Sequence, residues 1–554
     1  MRLVNFLADY LNEVGVNTVF MLSGTGSVYI DDAFAIQKGM RYVCARHEAA
    51  ATIMAMAAAK LTNKIGVVIA TTGPGGTNAI GGVVEAWVDS APVLVISGQV
   101  DSDQVSPNVR SFGVQGFNVI ENVANFTKYA VQVTDPLSIK MHLQKAIHLA
   151  TSGRPGPVWL DIPMDIQSAE IDIEKLVNYQ PACAETKNVN SDISEVMASL
   201  HKARRPLVVF GQGIRQASAA HKLIQFLDKF YVPSISARMG IDILPHKYQK
   251  FFGLGGVRGT IGAAQIMKRA DFVLGIGTSF THAFAGRDYD YFSKNTKIAL
   301  VNLDVTELFK KGLKLDHPIN SDVAVFLDEC LKLSPLDSNK NSKLKWLQEC
   351  KKHLDDNEII TDEMRSNPIN SYYFVDCLSR CMSKDQILVN DAGSANYVCS
   401  QAFKLKDEQR ELTSGAFYSM GLALPLAIGA SASQPGKQVI AVTGDGSIEL
   451  NIQELRTMSQ NRLNIKLFVI NNGGYASIRK SQDEMAGGRY TDDVEVLNFK
   501  NIANAFEVGY RLIDDHATME NQITSTLSSD EPCLIEVICD PNQAVLNPFQ
   551  IKVT

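Results

Sequence analysis

The stretch Val439-Ile440-Ala441-Val442-Thr443-Gly444-Asp445-Gly446-Ser447 is an apolar run that ends in a turn of small and polar residues. A helix-like stretch over 450–461 follows, and a second apolar run ends in Asn471-Asn472-Gly473-Gly474. This order predicts two parallel strands whose carboxyl ends lie side by side. Asp445, Asn472 and a carbonyl from the second turn would then form a partial cage for Mg²⁺, which completes its octahedron with phosphate oxygens and water. A pair of ordinary turns is the alternative.

The same alternation of apolar runs and helical stretches occurs along the whole chain of 554 residues. Near-continuous apolar strands are typical of parallel sheets covered on both faces. We therefore predict an α/β protein made of three consecutive doubly wound parallel-sheet domains, over 1–175, 191–334 and 365–545. Two polar stretches, 177–190 and 334–345, are predicted to be linkers.

Composition excludes several classes of protein. Hydrophobic residues make up 45% and charged residues 20%, and 53 basic residues stand against 59 acidic ones, so the net charge of −6 gives no reason to expect nucleic acid or a membrane surface as a partner. The N-terminus does not look like a signal peptide. The long apolar stretch 415–432 contains Pro425 and small residues, and is predicted to be a buried helix rather than a membrane span. We expect a cytoplasmic protein.

Four further motifs lie N-terminal to the two apolar runs described above, and they follow one another in a definite order along the chain. They are Arg46-His47-Glu48-Ala49-Ala50, Thr72-Gly73-Pro74-Gly75-Gly76-Thr77-Asn78, the segment 89–98 and Ser152-Gly153-Arg154-Pro155-Gly156-Pro157. Together with Gly444-Asp445-Gly446 and Asn471-Asn472, the set resembles the thiamine-diphosphate-dependent enzymes over nearly the whole chain, within the acetolactate-synthase-like branch. The resemblance implies pyrimidine-binding, central and diphosphate-binding domains, with Asp445, Asn472 and the Gly474 carbonyl holding Mg²⁺ on the diphosphate.

The resemblance also implies roles for individual residues. Glu48 matches the buried glutamate that hydrogen-bonds the pyrimidine ring and drives its imino tautomer; a salt bridge with Arg46, or capping of the next helix, is the alternative. Met420 matches the apolar residue that bends the cofactor, and the Tyr418 carbonyl would accept from the pyrimidine amine. The remaining cofactor-binding positions are Gly73, Asn78, Gly393, Ser394, Asn396, Gly444, Gly446 and Ser447.

Two substrate-side residues follow from the same comparison of motifs. Gln115 matches an active-site glutamine, although its neighbours Val114 and Gly116 differ from the usual ones, and a surface glutamine is the alternative. Thr25 lies where acetolactate synthases usually have a small glycine near the reacting carbon. Its hydroxyl would either orient a substrate or cap a turn.

Departures from the family pattern concern the second substrate. Acetolactate synthases clamp a second 2-ketoacid with an arginine and a tryptophan; here Ser279 and Ser481 stand at those positions, and Met164 replaces a lysine near the access channel. Residues 473–479 look like the acetyl-transferring carboligases of branched-sugar pathways. We therefore expect a carboligase that decarboxylates pyruvate or a similar 2-ketoacid and transfers the acyl carbanion equivalent to a ketone, such as a nucleotide-linked ketodeoxysugar. An acetolactate synthase of the large catalytic subunit type and a non-ligating 2-ketoacid decarboxylase are the alternatives.

The resemblance leaves FAD binding open. The Gly-rich stretches 211–215 and 253–260 are suited to a dinucleotide, whereas Ser279 counts against the usual FAD contacts, and Arg215 and Arg258 are as readily read as solvated side chains. The resemblance further implies a homo-oligomer, a dimer or tetramer, with the active sites at the subunit interface.

Overall fold

The computed structural model describes residues 1–105, 109–181, 190–335, 339–491 and 495–548. Within these ranges the strands form three sheets of six strands, and every strand pairing in them is parallel. Helices cover both faces of each sheet, and the apolar cores lie between helix and strand layers. The predicted succession of three doubly wound α/β domains is confirmed.

The first sheet has the strand order β2-β1-β3-β4-β6-β5. Its strands are β1 Thr18–Met21, β2 Arg41–Cys44, β3 Gly66–Ala70, β4 Val93–Gln99, β5 Tyr129–Gln132 and β6 Val158–Pro163. Its helices are α1 Leu3–Glu13, α2 Val28–Ile36, α3 Glu48–Thr62, α4 Pro74–Val88, α5 Val119–Val123, α6 Ile139–Thr151 and α7 Met164–Ser168.

The central sheet has the order β12-β11-β10-β7-β8-β9. Its strands are β7 Pro206–Phe210, β8 Ser234–Ser236, β9 Phe251–Leu254, β10 Phe272–Ile276, β11 Lys297–Asn302 and β12 His317–Asn320. Its helices are α8 Asn190–Lys202, α9 Gly213–Gln216, α10 Ala220–Phe230, α11 Ile261–Arg269, α12 His282–Ala285, α13 Val305–Leu308, α14 Val323–Lys332 and α15 Lys340–Asp355. Numbered from β7, this is the order 3-2-1-4-5-6 of dinucleotide-binding sheets.

The third sheet has the order β14-β13-β15-β16-β18-β17, which repeats the topology of the first. Its strands are β13 Ile387–Asn390, β14 Arg410–Leu412, β15 Val439–Gly444, β16 Ile465–Asn471, β17 Gly509–Ile513 and β18 Cys533–Ile538. Its helices are α16 Ser371–Cys381, α17 Gly393–Ala402, α18 Ala423–Ser433, α19 Glu454–Gln460, α20 Ala476–Ser481, α21 Phe499–Ala505 and α22 His516–Leu527.

The first and third domains contact each other through α3 and α18, two Ala-rich helices buried over most of their length. They approach so closely that a Cβ added to Gly429 would lie 2.2 Å from the Met54 carbonyl oxygen. One apolar core therefore runs continuously from the first domain into the third. No helix in the described ranges is both long and apolar enough to cross a membrane.

Three local predictions need correction. The helix expected over 415–432 begins only at Ala423, because Tyr418 and Gly421 take the left-handed conformation, with φ of 56° and 78°, and form a turn. The stretch 450–461 divides into a 3₁₀ turn, Ile448–Asn451, and α19. Helix α15 begins inside the predicted linker 334–345, since Trp346 and Cys350 are buried against the central domain. Most of the other predicted linker, 177–190, lies outside the described residues.

Candidate active site

In each outer sheet, the direction in which successive strands are added reverses next to the first strand, which makes this point a topological switch point. The chain passes from β1 to β2 on one side and then to β3 on the other, and β13, β14 and β15 repeat the pattern. Ligands of open α/β sheets bind in the crevice beyond the carboxyl ends of strands at such a switch point. Thr25 and Gly73 follow β1 and β3, and Gly393 and Asp445 follow β13 and β15. Sequence-predicted site residues thus lie at the switch points of both outer sheets.

In the third domain, Asp445 lies directly beyond the end of β15, where Gly444 is paired with Ile470 of β16. Its carboxylate is buried and accepts backbone N–H groups from Gly446 at 2.8 Å, Asn472 at 3.0 Å and Gly474 at 2.8 Å. Burial raises the pKa of Asp445, and these donors oppose the rise. The turns that follow β15 and β16 therefore lie next to each other, as predicted, and the Asp445 carboxylate connects them.

The donor set at these turns suits a hard cation bound to phosphate. The Asn472 side chain makes no hydrogen bond within the described part of the chain, and the Gly474 carbonyl accepts only from the Ala476 N–H at 2.8 Å, which leaves an acceptor site on that oxygen. Among the described residues no three His, Cys, Asp or Glu side chains gather to hold a metal. A cation here would depend on one carboxylate, an amide, a carbonyl and the phosphate itself.

Gly446 has no room for a side chain. A Cβ at this position would lie 2.2 Å from the ring of Tyr475, the residue that follows the Asn472 turn. Gly444 has open space, with only Ser447 4.0 Å from an added Cβ. Gly444, at the end of the strand, thus leaves room for a ligand, and Gly446 admits an aromatic ring.

Asp391 organises this region, although the sequence analysis assigned it no role. It follows β13 and is buried. Its Oδ1 accepts from the N–H groups of Ala392 at 2.8 Å and Gly421 at 3.0 Å and from the Ser447 hydroxyl at 2.7 Å. Its Oδ2 accepts from the Ala423 N–H at 3.1 Å and the Thr443 hydroxyl at 2.8 Å.

This one carboxylate joins the turn that carries Met420 to the loop that carries Ser447. Its only sequence signal was a carboxylate directly after an apolar strand, next to the switch point. That signal does not reveal which donors converge on it.

The Met420 turn is also anchored to the first domain. Tyr418, half-buried, donates its N–H to the Ser414 hydroxyl at 3.1 Å, and Met420 is half-buried as well. The Ser414 and Ser419 hydroxyls donate to Glu85 of α4. Burial raises the pKa of Glu85 and that of the Tyr418 phenol. Glu85 is a second residue that holds a predicted site segment in place and that the sequence did not reveal.

At the start of α17, the three residues predicted to bind the cofactor differ in how accessible they are to a ligand. Gly393 has φ of 63° and nothing within 4 Å of an added Cβ, and Ser394 is half-buried. The Asn396 side chain is buried, donating to Asn390 at 3.0 Å and to Thr413 at 2.8 Å. Its oxygen accepts from Arg238 at 3.1 Å. Only Gly393 and Ser394 are left open to a ligand, while Asn396 joins the central domain to the third.

In the first domain, Glu48 is the first residue of α3 and is 5% exposed. Its Oε2 accepts from the Asn78 side chain at 3.0 Å, and its Oε1 accepts no hydrogen bond within the described residues. The alternative salt bridge is not formed, because the Arg46 guanidinium contacts Gln460 instead. His47 rather than Glu48 caps the helix, accepting from the Ala49 N–H at 3.2 Å.

Thr25 and Gln115 face the same crevice. Gly24 and Gly26, on either side of Thr25, pack on Thr71 and Thr72, and the Gln115 carbonyl is 2.4 Å from a Cβ added to Gly73. Thr25 is exposed and does not cap its own turn with its hydroxyl. The Gln115 side chain is exposed and its φ is 64°. The structure thus brings Glu48, Asn78, Gly73, Thr25 and Gln115 to one edge of the first sheet.

A cavity of about 550 Å³ opens at the switch point of the central sheet. Both predicted Gly-rich stretches line it, through Gly211 and Gly213 and through Gly255 and Arg258. Arg215 is paired with Asp242 at 3.0 Å, and Arg258 lies 4.9 Å from the Tyr397 ring centroid, so neither arginine is simply solvated. Pockets of this volume accommodate ligands of cofactor size.

The three positions that depart from the family pattern have different structural surroundings. Ser279 lines the central cavity, and its carbonyl accepts from Lys310. Ser481 is the last residue of α20 and exposed, its hydroxyl donating to the Ser477 carbonyl at 3.1 Å. Met164 is the first residue of α7 and half-buried.

Comparison with known families gives matches in the same three places. Residues 1–126 match "Thiamine pyrophosphate enzyme, N-terminal TPP binding domain", residues 193–330 the central domain and residues 391–537 the C-terminal TPP binding domain. The acetolactate synthase large subunit of Lactococcus lactis subsp. lactis is 30% identical over 544 residues, covering 97% of this chain and 92% of the relative.

Two further relatives are similar over comparable lengths. The acetolactate synthase large subunit of Buchnera aphidicola subsp. Schizaphis graminum is 30% identical, with 97% of this chain and 94% of the relative covered. The acetolactate synthase isozyme 1 large subunit of Escherichia coli is 28% identical, with 98% and 94% covered.

Proposed function

Because this chain belongs to the thiamine pyrophosphate enzymes, as a C–C bond-forming member similar to acetolactate synthases, we propose that it decarboxylates pyruvate or a similar 2-ketoacid and transfers the acyl unit to a ketone. The observation that carries the proposal is the pair of equivalent crevices at the switch points of the outer sheets, one with Glu48 and one with Asp445. When bound, thiamine diphosphate supplies an electron sink for decarboxylation.

Asp445, Asn472 and the Gly474 carbonyl are proposed to hold Mg²⁺, with Gly393, Ser394, Gly444 and Ser447 around the diphosphate. The Asn472 side-chain amide, which makes no hydrogen bond to any described residue, and the open space at Gly393 and Gly444 support this assignment. Asp391 fixes the turn that carries Gly444 and Ser447, through the hydroxyls of Thr443 and Ser447. Removing Mg²⁺ with a chelator is expected to abolish cofactor binding, and Mn²⁺ is expected to restore it. If the affinity for the cofactor is the same with and without divalent cations, the metal assignment is excluded.

Glu48 is proposed to hold the proton that the reaction moves at the pyrimidine end of the cofactor. Asn78 fixes its Oε2, so that the unbonded Oε1 is the atom available for the proton. Tyr418 and Met420 lie on the turn anchored by Glu85 and Asp391. They are proposed to form the wall of the cofactor site opposite Glu48. Thr25 and Gln115 are proposed to contact the substrates.

We propose that the acceptor is a ketone larger than a simple 2-ketoacid, such as a nucleotide-linked ketodeoxysugar. Ser279 and Ser481 support this, since neither can clamp a carboxylate as arginine does or fill space as tryptophan does. Acetolactate synthesis is the second candidate, supported by identities of about 30% to acetolactate synthases over nearly the full length.

Product analysis with labelled pyruvate separates these functions. The purified protein, with thiamine diphosphate and Mg²⁺, is incubated with pyruvate alone and with 4-ketodeoxysugar nucleotides. Label in a branched sugar nucleotide is the expected result. Rapid formation of 2-acetolactate with no sugar product would refute the sugar acceptor and favour acetolactate synthesis, whereas acetaldehyde as the sole product would indicate a decarboxylase.

FAD is proposed as an occupant of the central cavity. The Rossmann strand order and the Gly211 and Gly213 turn at the switch point support a dinucleotide there. The absorption spectrum of the purified protein tests this proposal. Flavin bands that remain after gel filtration are expected, and a protein that binds no added FAD in titrations would refute it.

A homo-oligomer is proposed because exposed apolar side chains flank the site residues of both outer domains. Val114, beside Gln115, is 85% exposed, and Phe417, beside Tyr418, is 53% exposed. A second copy that covers these side chains would also close the crevices. Light scattering is expected to give a dimer or tetramer, and a fully active monomer would contradict the proposal.

A further inference from the structure

Gln99, the last residue of β4, is buried, and its side chain has four hydrogen-bond partners: its Oε1 accepts from the N–H of the adjacent Val100 at 3.1 Å, and the other three partners lie on distant segments. Its Nε2 donates to the Phe117 carbonyl at 2.8 Å and to Asp161 at 3.2 Å. Its Oε1 accepts from the Thr72 hydroxyl at 2.6 Å. One side chain therefore ties together the end of β4, the segment after β3 and the loop that carries Gln115.

The contact with Phe117 anchors that loop. Gln115 lies two residues before Phe117 and has φ of 64°, a conformation that side-chain-bearing residues keep only where their surroundings impose it. Its carbonyl also packs directly against Gly73. The loop is otherwise exposed at Phe112 and Val114, so the Gln99 amide is a fixed point beneath a largely open segment.

The contact with Thr72 supports the opposite side of the crevice. With its hydroxyl held by Gln99, Thr72 directs its methyl group at Gly26, where an added Cβ would lie 2.8 Å from it. Gly26 directly follows Thr25, and a Cβ on Gly98 would lie 1.9 Å from the Gly26 carbonyl oxygen. The height of the Thr25 turn above the sheet is thus set by Thr72 and by the strand that ends in Gln99.

Asp161 of β6 determines the orientation of the Gln99 side-chain amide, that is, the sides on which its nitrogen and its oxygen lie. This fully buried carboxylate accepts from Ser97, Gln99 and Gln132, and burial raises its pKa to about 6. Above that pKa the ionised carboxylate has acceptors only, so the amide nitrogen Nε2 faces Asp161 and Oε1 faces Thr72. Gln132 donates to the same carboxylate at 3.0 Å but, within the described part of the chain, makes no hydrogen bond to Phe117 or Thr72, which makes it a matched control.

We propose that Gln99 is a positioning residue that sets the spacing between Thr25 and Gln115, and with it the width of the substrate pocket. This rests on the proposed substrate-side roles of those two residues. Gln99 itself lies beneath the crevice and acts through the two segments that it holds.

The test compares Gln99→Met with the control Gln132→Met in the full-length protein with thiamine diphosphate and Mg²⁺. Three measurements are made: steady-state kinetics with pyruvate, which give KM and kcat; the affinity for thiamine diphosphate; and hydrogen exchange of the amides of residues 113–118. Gln99→Met is expected to raise KM at least tenfold and to speed exchange of these amides at least tenfold. Its cofactor affinity is expected to stay within twofold of the wild type, and Gln132→Met is expected to stay within twofold in all three.

A second variant covers the case in which Gln99→Met does not fold. Thr72→Val removes only the hydroxyl that Gln99 accepts from, and is expected to raise KM about threefold or more without changing exchange in 113–118. Equal changes in Gln99→Met and Gln132→Met, or a wild-type KM and wild-type exchange in Gln99→Met, would overturn the proposal, as would a wild-type KM in Thr72→Val. If the wild type does not turn over pyruvate, the proposed function fails, and the exchange of residues 113–118 still decides whether Gln99 holds the loop.

Discussion

Replacing Asp391 with asparagine changes one carboxylate oxygen into an amide nitrogen at the point where five donors converge. The amide nitrogen fits best at the Oδ2 position, because the Thr443 hydroxyl there can rotate and accept instead of donating. The Ala423 N–H cannot rotate and is left facing another donor. The three donors on Oδ1 keep their partner but lose its negative charge.

The cost of this change can be worked from its parts. A buried N–H without an acceptor costs about 1–3 kcal/mol, and loss of charge weakens each remaining bond by about 1 kcal/mol. Relief from burying a charge returns roughly 2 kcal/mol. The free energy of unfolding of the cofactor-free protein is therefore expected to fall by about 3 kcal/mol.

Cofactor affinity is expected to fall at the same time. Asp391 joins the Met420 turn to the Ser447 loop, and binding must restore any order that these segments lose. A penalty of about 1.4 kcal/mol corresponds to a tenfold weaker Kd, so we expect the Kd for thiamine diphosphate to rise between tenfold and a hundredfold.

Denaturant unfolding and calorimetric titration with Mg²⁺ present measure the two effects. Asp385→Asn is the control, since this carboxylate lies in the same domain, is exposed and accepts a hydrogen bond from nearby Ser383 at 2.6 Å. If Asp391→Asn matches this control in both measurements, the convergence of donors on Asp391 does not hold the two segments. A stability loss with unchanged affinity would refute the coupling to the cofactor.

Three further predictions concern single side chains. Glu48→Gln is expected to keep the wild-type circular dichroism and cofactor affinity while kcat falls by about 10² to 10⁴, and wild-type turnover would exclude Glu48 as the proton-holding group. Arg238 forms a buried ion pair with Glu411 at 3.0 Å, so Arg238→Met is expected to cost about 3–5 kcal/mol in denaturant unfolding; an Arg238→Met, Glu411→Met double variant that recovers none of this would contradict the reasoning. Burial lowers the pKa of His246 from 6.5 to about 4, so its neutral form favours the folded state above pH 6.5, and this contribution, about 3 kcal/mol, is lost as the pH falls toward 4. His246→Gln is expected to lack this part of the pH dependence, and parallel stability curves for the two proteins from pH 7 to pH 4 would show that His246 is not its source.

The sequence was sufficient for features that depend on strand order and on turn residues. Apolar runs that end in glycine and a carboxylate predicted the adjacent β15 and β16 and the neighbourhood of Asp445 and Asn472. Such features are local, because parallel strands joined by one crossover helix place their ends together by geometry alone.

The sequence was insufficient for side chains whose partners come from distant segments. Asp391, Glu85 and Gln99 carry no periodic signal, and their roles depend on donors brought together by the register of the sheets and by the contact between domains. Helix α15 was mistaken in part for a linker because its buried stripe is narrow, with Trp346 and Cys350 set among charged residues.

The contact between α3 and α18 restricts how this molecule can move. With Gly429 against the Met54 backbone and alanines along both helices, the two outer domains have no side-chain layer on which to slide. Close-packed interfaces of this kind transmit displacement rather than absorb it. We therefore expect no hinge motion between the two outer domains, and any opening of the crevices would take place in loops outside this contact.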